Sequence, residues 1–471
     1  MHKKSAYLIG IKGVAMTALA TILHQKGYQV SGSDIEEIFH TDAVLQEQGI
    51  QVKTGFYAAN VDRQADFVVV TGAHGGMTNI EAVEAQKLGL PTLMHGKFLG
   101  SLMEGKFGIS VAGCHGKTTT SAIIASLLTK AGLNPSYAVG TAQINDLGFA
   151  GHDGKGKYFI AEADEYMTCP LTDRTPRFLW QKPKLLVITN IDYDHPDAFN
   201  NIEEIKTSFI QLANSLSDDS LIVICQDDSN AVSIIPHLKN KVCTYGFSPK
   251  SDYRIEKTYF GDGISSMRVS FQNTDLGEFI IHIPGRHNLL NSLAASVVAH
   301  LIGLSWEVIG ENLKQFRGTK RRFEKIIDTG DLLLYDDYAH HPQEIKTTLA
   351  SFKNWFPNRR LIVIFQPHTY SRTKVLLSDF AKSFLDADLV ILSDIYPSAR
   401  EKFDQSISSK MLMIEANKNK RNAYYYADKT KILSFLKDNL KSGDLIVMMG
   451  AGDIYSWQND FINLIKNYKS N

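Results

Sequence analysis

The sequence predicts an α/β protein of three domains with largely parallel sheets. Short apolar runs with the look of buried strands alternate with helix-length amphipathic segments. The alternation falls into three blocks, 1–107, 108–316 and 317–471. A chain of 471 residues is also the length expected of about three domains at roughly 150 residues each.

In the first block Tyr7 to Gly10 reads as a strand, Val14 to Lys26 as a helix, Gln29 to Ser33 and Asp66 to Thr71 as strands, and Asn79 to Leu88 as a helix. The second opens with the strand Gly108 to Ala112 and the helix Lys117 to Lys130. It continues with strands at Lys157 to Ala161, Leu185 to Asn190 and Leu221 to Cys225. Between Asp252 and Pro284 the pattern alternates (Met267, Val269, Phe271; Phe279, Ile281, Ile283), which predicts a small β insertion. Helices at Asn288 to Ile302 and Ser305 to Phe316 finish the block. The third block has strands at Leu332 to Asp336, Leu361 to Phe365, Leu389 to Ser393 and Leu445 to Met449. Its helices are Gln343 to Trp355, Ser371 to Phe384 and Lys429 to Leu440, and the polar stretch Asn417 to Asn422 reads as a solvated loop.

Lys+Arg and Asp+Glu both total 50, so the formal charge is zero. That balance argues against a nucleic-acid binder held by a basic field, and leaves local anion sites open. The four cysteines, Cys114, Cys169, Cys225 and Cys243, include no C-x-x-C pair, so neither a disulfide framework nor a zinc ribbon is expected. No apolar run reaches the ~18 to 20 residues of a membrane span. The segment Ala6 to Ile9 is too short for the core of a signal peptide. The expectation is a cytoplasmic protein with neither a membrane nor a nucleic-acid partner.

The most informative segment is Gly113-Cys114-His115-Gly116-Lys117-Thr118-Thr119-Thr120, a glycine-rich turn between a strand and a helix. Phosphate binding needs this arrangement. N–H groups freed at the helix start point at the oxygens, glycines allow close approach, Lys117 supplies charge and Thr118 can ligate Mg²⁺. Val111 holds the place of the first glycine of G-x-x-x-x-G-K-[ST], so the loop is a shortened variant. Gly10-Ile11-Lys12-Gly13-Val14 also joins a strand to a helix, and Asp34 lies near the spacing of an acid that contacts a ribose. Lys12 could favour a pyrophosphate there.

Glu162-Ala163-Asp164-Glu165 and Asn190-Ile191-Asp192-Tyr193-Asp194-His195 each follow a strand. In a parallel sheet those ends line the crevice of the phosphate loop, where Glu162 and His195 could reach a metal. Arg322, planar and permanently charged, suits a phosphate. His340-His341 are adjacent and point different ways, which disfavours a shared metal.

Taken in order, these motifs resemble the Mur ligase family over essentially the whole chain. They are Gly10 to Gly13, Gly113 to Thr120, Glu162 to Glu165, Asn190 to His195, His287 to Asn291, Gly318 to Phe323, Asp336 to Pro342, Phe365 to Thr373 and Gly450 to Asp453. The resemblance implies a Rossmann-like amino-terminal domain for a UDP sugar and a central P-loop ATPase domain. A Rossmann-like carboxy-terminal domain would close over ATP and receive an amino acid. It implies a ligase that uses ATP and Mg²⁺ to join L-alanine to the carboxylate of UDP-N-acetylmuramate through an acyl phosphate, as a monomer or homodimer.

By motif, Gly113, Cys114, His115, Gly116, Lys117, Thr118 and Thr119 would hold the ATP phosphates, with Asn288, Asn291, Arg322 and Asp337 completing the nucleotide site. Thr118, Glu162 and His195 would ligate Mg²⁺. Gly10, Lys12, Gly13, Val14 and Asp34 would bind the UDP sugar, and Tyr338, His340, His368 and Arg372 the acyl group or amino acid. Lys117, Glu162, His195, Arg322 and Arg372 would carry the chemistry.

The chain departs from the family pattern in three places. Cys114 stands where threonine is usual. Thr71-Gly72-Ala73 and Asn79-Ile80-Glu81 replace Ser-Ser-Ala and Asn-Pro-Glu. Glu162 to His195 is longer than expected of the alanine-adding branch, and Glu162 to Tyr166 also resembles the branch that adds the tripeptide L-Ala-γ-D-Glu-meso-diaminopimelate. Phe365 to Thr373 favours L-alanine. A nicotinamide-dependent dehydrogenase would explain Gly10 to Asp34 and leave the phosphate loop and Arg322 without purpose. A nucleotide-binding regulator without turnover would not need both Glu162 and His195.

Overall fold

A computed structural model describes residues 4–193, 198–261, 263–397, 401, 403–418 and 422–468. The chain forms two compact units. One comprises 1–258, 266–282 and 287–317, the other 259–265, 283–286 and 318–471. The first unit contains a five-stranded sheet in the order Gln51–Thr54, Gln29–Asp34, Ser5–Ile9, Phe67–Val70, Thr92–Met94, parallel throughout. Strand order runs outward in both directions from Ser5–Ile9, so the switch point falls where that strand ends, at Gly10.

The central sheet has ten strands. From Lys241–Gly246 its parallel portion runs through Leu221–Cys225, Leu185–Ile188, Phe107–Ala112 and Tyr158–Ala163 to Ser136–Ile144. Gly148–His152 closes one edge antiparallel. The strands Tyr253–Gly261, Ile264–Phe271 and Thr274–Ile281 prolong the other edge, so the alternating stretch read as an insertion is continuous with the sheet. The two sheets of the first unit share one apolar core, in which Leu8, Leu19 and Val69 cluster with Ala138, Phe159 and Ala161.

The second unit is built on a six-stranded sheet. Glu324–Asp328 lies antiparallel to Leu333–Asp337, and Asp444–Met449, Arg360–Phe365, Leu389–Leu392 and Ala423–Tyr425 follow in parallel. The strands are apolar on both faces because helices cover both, which is why they stood out as continuous runs.

Most expected elements form within a residue or two, and the helix Lys117–Lys130 has the expected bounds. The helix read at Ser371 to Phe384 is instead two, Tyr370–Val375 and Leu377–Ser383, separated by a non-helical Leu376. The helix Ser409–Asn417 includes the first residue of the stretch read as a solvated loop, and 419–421 lie outside the described residues. The short strands Gln51–Thr54 and Thr92–Met94 and the edge hairpin Ser136–His152 escaped the sequence pattern. No helix among the described residues is long and apolar enough to cross a membrane.

Candidate active site

Four strands of the central sheet deliver the site at their carboxyl ends. Phe107–Ala112 leads into the phosphate loop, whose Gly116 adopts φ 84° and caps the helix Lys117–Lys130. Glycine is required there twice over. The conformation is left-handed, and a Cβ would lie 2.5 Å from Oδ1 of Asn291. Asn291 in turn donates to Asn288 at 3.2 Å. Asn190 clamps the loop from the next strand, accepting from His115 N at 2.9 Å and donating to His115 O at 2.7 Å. Cys114 Sγ donates to Asp192 O at 3.1 Å and accepts from Asp192 N at 3.2 Å.

Lys117 Nζ donates to Gly113 O at 2.5 Å and to both carboxylate oxygens of Glu165, at 3.1 and 2.8 Å. The lysine side chain is 15% exposed and the glutamate 1%. Burial works against the lysine's charge, but Glu165, Asp164 and Cys114 around it outweigh that and raise its pKa. Glu162 meets Thr118, whose hydroxyl donates to it at 3.2 Å, and accepts from Gly140 N at 2.5 Å. Burial raises the Glu162 pKa, while the Gly140 N–H, Lys117 and Thr118 oppose the rise. A half-buried acid beside a threonine hydroxyl at a phosphate loop is an oxygen donor set that fits a hard divalent cation. His195 lies outside the described residues. Glu165, Gly140 and Asn190 were not singled out by sequence reasoning, although Glu165 and Asn190 stood in quoted motifs.

At the first sheet, Lys12 N donates to Asp34 at 2.7 Å, and Lys12 Nζ donates to Ile35 O at 3.1 Å and Glu37 O at 2.9 Å while facing Asp42 at 3.4 Å. Lys12 thereby ties the 35–42 loop to the start of the following helix. Asp34 also accepts from Ile35 N at 2.8 Å, and His74 Nε2 stands 3.6 Å from it. Gly10 packs against Thr71, and Val14 and Gly13 begin the following helix. A second buried acid, Glu81 of the Asn79-Ile80-Glu81 stretch, accepts from Tyr7, Ser33, Asn60 and Tyr57 N.

In the second unit Arg321 and Arg322 divide the work. Arg321 donates to Asp336 at 3.1 Å and to Gly450 O at 2.5 Å and is buried, whereas Arg322 is not fully buried; both guanidinium groups lie over the Tyr338 ring. Asp337 is 2% exposed, accepts from Phe323 N and Ala339 N, both at 2.9 Å, and so shapes the turn that carries Arg322. Burial pushes its carboxyl up to about 6, against the pull of Arg322 and the two N–H groups. His340 Nδ1 lies 3.1 Å from Tyr338 O, which puts the proton there and leaves Nε2 an acceptor. Burial, with Arg372 and Arg322 nearby, lowers the His340 pKa against Glu344. The His340 ring sits 6.1 Å from His368, which stacks on Tyr396. Arg372 Nη1 is buried without a hydrogen bond to any described residue, and its helix starts after Thr369 at φ 69°, a strained value for a β-branched residue. The structure thus gathers Arg322, Tyr338, His340, His368 and Arg372.

A phosphate loop in a parallel central sheet, flanked in sequence by two further parallel α/β sheets, defines a nucleotide-using enzyme of three domains. The chain belongs to the Mur ligase family: the family's catalytic-domain model matches residues 5–107, its middle-domain model 111–299 and its glutamate ligase domain model 321–452. A UDP-N-acetylmuramate--L-alanine ligase of Caldanaerobacter subterraneus subsp. tengcongensis is 42% identical over 462 residues, 98% of this chain and 97% of that protein. The crystal structure of a UDP-N-acetylmuramate-alanine ligase from Thermotoga maritima superposes with a TM-score of 0.81 at 27% identity, covering 99% of this chain and 100% of that one. A murein peptide ligase from Psychrobacter arcticus shares the fold, with a TM-score of 0.72 at 24% identity and cover of 99% and 100%.

Proposed function

We propose that this protein is the ATP-dependent ligase that joins L-alanine to the carboxylate of UDP-N-acetylmuramate in peptidoglycan precursor synthesis, a cytoplasmic reaction. The acceptor follows its curated relatives, which carry that activity in their names at 37–42% identity over nearly the full chain. The observation that carries the ATP-dependent step is Lys117, fixed at a helix start by Glu165 and the loop carbonyls, one residue from the Thr118–Glu162 pair.

The reaction begins with two anions, a carboxylate and the γ-phosphate of ATP, brought together in line. An O–P bond forms as the bond to ADP breaks. The alanine amine then attacks the acyl carbon and inorganic phosphate leaves. Lys117 and the free N–H groups of the helix start oppose the charge repulsion in the first step. Thr118 and Glu162 would hold Mg²⁺, which supplies further charge neutralisation when bound. In the second unit, Arg372 is suited to the amino-acid carboxylate, since its buried Nη1 has no hydrogen-bond partner among the described residues. His340 Nε2, left as the acceptor by the Nδ1–Tyr338 O contact, can accept a hydrogen bond from the incoming amine. No nucleophilic side chain is required, and positioning does most of the work.

The test is phosphate release from Mg-ATP and UDP-N-acetylmuramate with L-alanine, glycine, L-serine or the free tripeptide offered in turn. Release is expected with L-alanine. Release with the tripeptide alone would overturn the acceptor, and release with none would overturn the ligase reading.

A further inference from the structure

The long spacing after Glu162 has a structural cause. Residues between Glu165 and Arg177 fold into a hairpin, Met167–Cys169 against Asp173–Pro176, that packs on the carboxyl end of the first sheet. Cys169 is buried with Ile9, Val70 and Met94. A Cβ at position 72 would lie 2.4 Å from Thr168 O, and one at 76 would lie 2.3 Å from Cys169 Sγ. Gly72 therefore stands where the family carries serine because the hairpin backbone leaves no room for a side chain.

The hairpin delivers Arg177 to this junction. Its Nη1 donates to Asp164 at 2.8 Å and its Nε to Met167 O at 3.0 Å, with the guanidinium over the Tyr166 ring. The remaining nitrogen, Nη2, makes no hydrogen bond to any described residue and points at Gly72, where a Cβ would sit 3.1 Å away. The side chain is 24% exposed. Arg177 thus spans from the loop beside Gly10 and Thr71, at the switch point of the first sheet, to Asp164, whose neighbour Glu165 holds Lys117. Lys12, the other cation at that switch point, is engaged by carbonyls and Asp42.

We propose that Arg177 is a positioning residue for the sugar nucleotide, its free Nη2 binding the diphosphate where the substrate crosses from the first sheet to the phosphate loop. Planar guanidinium donors suit phosphate oxygens, and two existing hydrogen bonds pre-set the group's orientation. The inference rests on the proposed function.

Calorimetric titration with UDP-N-acetylmuramate and with UDP-N-acetylglucosamine, which keeps the diphosphate and lacks the lactyl carboxylate, tests it. Arg177→Met should weaken both by about 10- to 100-fold. KM for ATP and L-alanine should stay within about twofold, because a uniform binding contact acts on one substrate. Arg177→Lys should restore part of the loss. Should the methionine variant fail to fold, phenylglyoxal labelling of the unaltered protein gives an independent reading: UDP-N-acetylglucosamine should protect Arg177. Unchanged affinity for both sugar nucleotides, a loss confined to UDP-N-acetylmuramate, or labelling of Arg177 without protection would overturn the inference. If the unaltered protein bound neither sugar nucleotide, the functional reading itself would fall.

Discussion

The Lys117–Glu165 pair separates what the site does for stability from what it does for catalysis. At 2.8 Å, with an effective dielectric of roughly 20, two unit charges attract by about 6 kcal/mol. Removing both ions from water takes back much of this, so the pair as a whole contributes little net stability. Removing one partner is another matter. Lys117→Met leaves a carboxylate that is 1% exposed without its lysine counter-charge, which should cost about 3 to 5 kcal/mol. Adding Glu165→Met removes the stranded charge and fills the space with apolar volume, so the double variant should recover most of that loss. Neither variant should release phosphate, because the cation at the helix start is gone in both. Differential scanning calorimetry on the single and double variants, with the phosphate assay alongside, reads both quantities. A double variant no more stable than Lys117→Met would refute the reasoning, since it would show that Glu165 is compensated by water, a proton or another group once Lys117 is lost.

Two further outcomes follow from the same geometry. A Cβ at Gly140 would sit 3.0 Å from both carboxylate oxygens of Glu162. Gly140→Ala should therefore displace that acid and lower kcat by about tenfold or more, with the melting temperature little changed. Equal kcat in the phosphate assay would show that Glu162 is not needed where it stands. The second concerns acid. Asp337 titrates near 6 in the folded chain against 3.8 ordinarily. A raised acid stabilises the fold below its unfolded pKa and loses that contribution as pH rises through the folded value, so the change falls between about pH 4 and 6. Relative to Asp337→Asn, the unaltered protein should gain up to about 3 kcal/mol on going from pH 7 to pH 4. Thermal melts of both proteins across that range check it, and a constant difference would count against the buried carboxyl.

The division between sequence and structure follows the distance over which each feature is encoded. The parallel α/β blocks, the phosphate loop and the helix Lys117–Lys130 are written in contiguous residues, because a buried strand, a glycine turn and a helix start each have a local pattern. The motif residues at strand ends were legible for the same reason, since a parallel sheet puts those ends on one edge. Which acid faces which cation was decided only by the tertiary structure. Lys117 meets Glu165 across 48 positions and Glu162 meets Gly140 across 22, and periodicity carries no information about such pairs. The sequence offered Lys12 for a pyrophosphate, and only the fold shows its ammonium engaging the carbonyls of Ile35 and Glu37. The glycine at position 72 and the long spacing after Glu162 were two separate departures in the sequence. Folding makes them one feature, because the backbone of the hairpin fills the space a side chain at 72 would need.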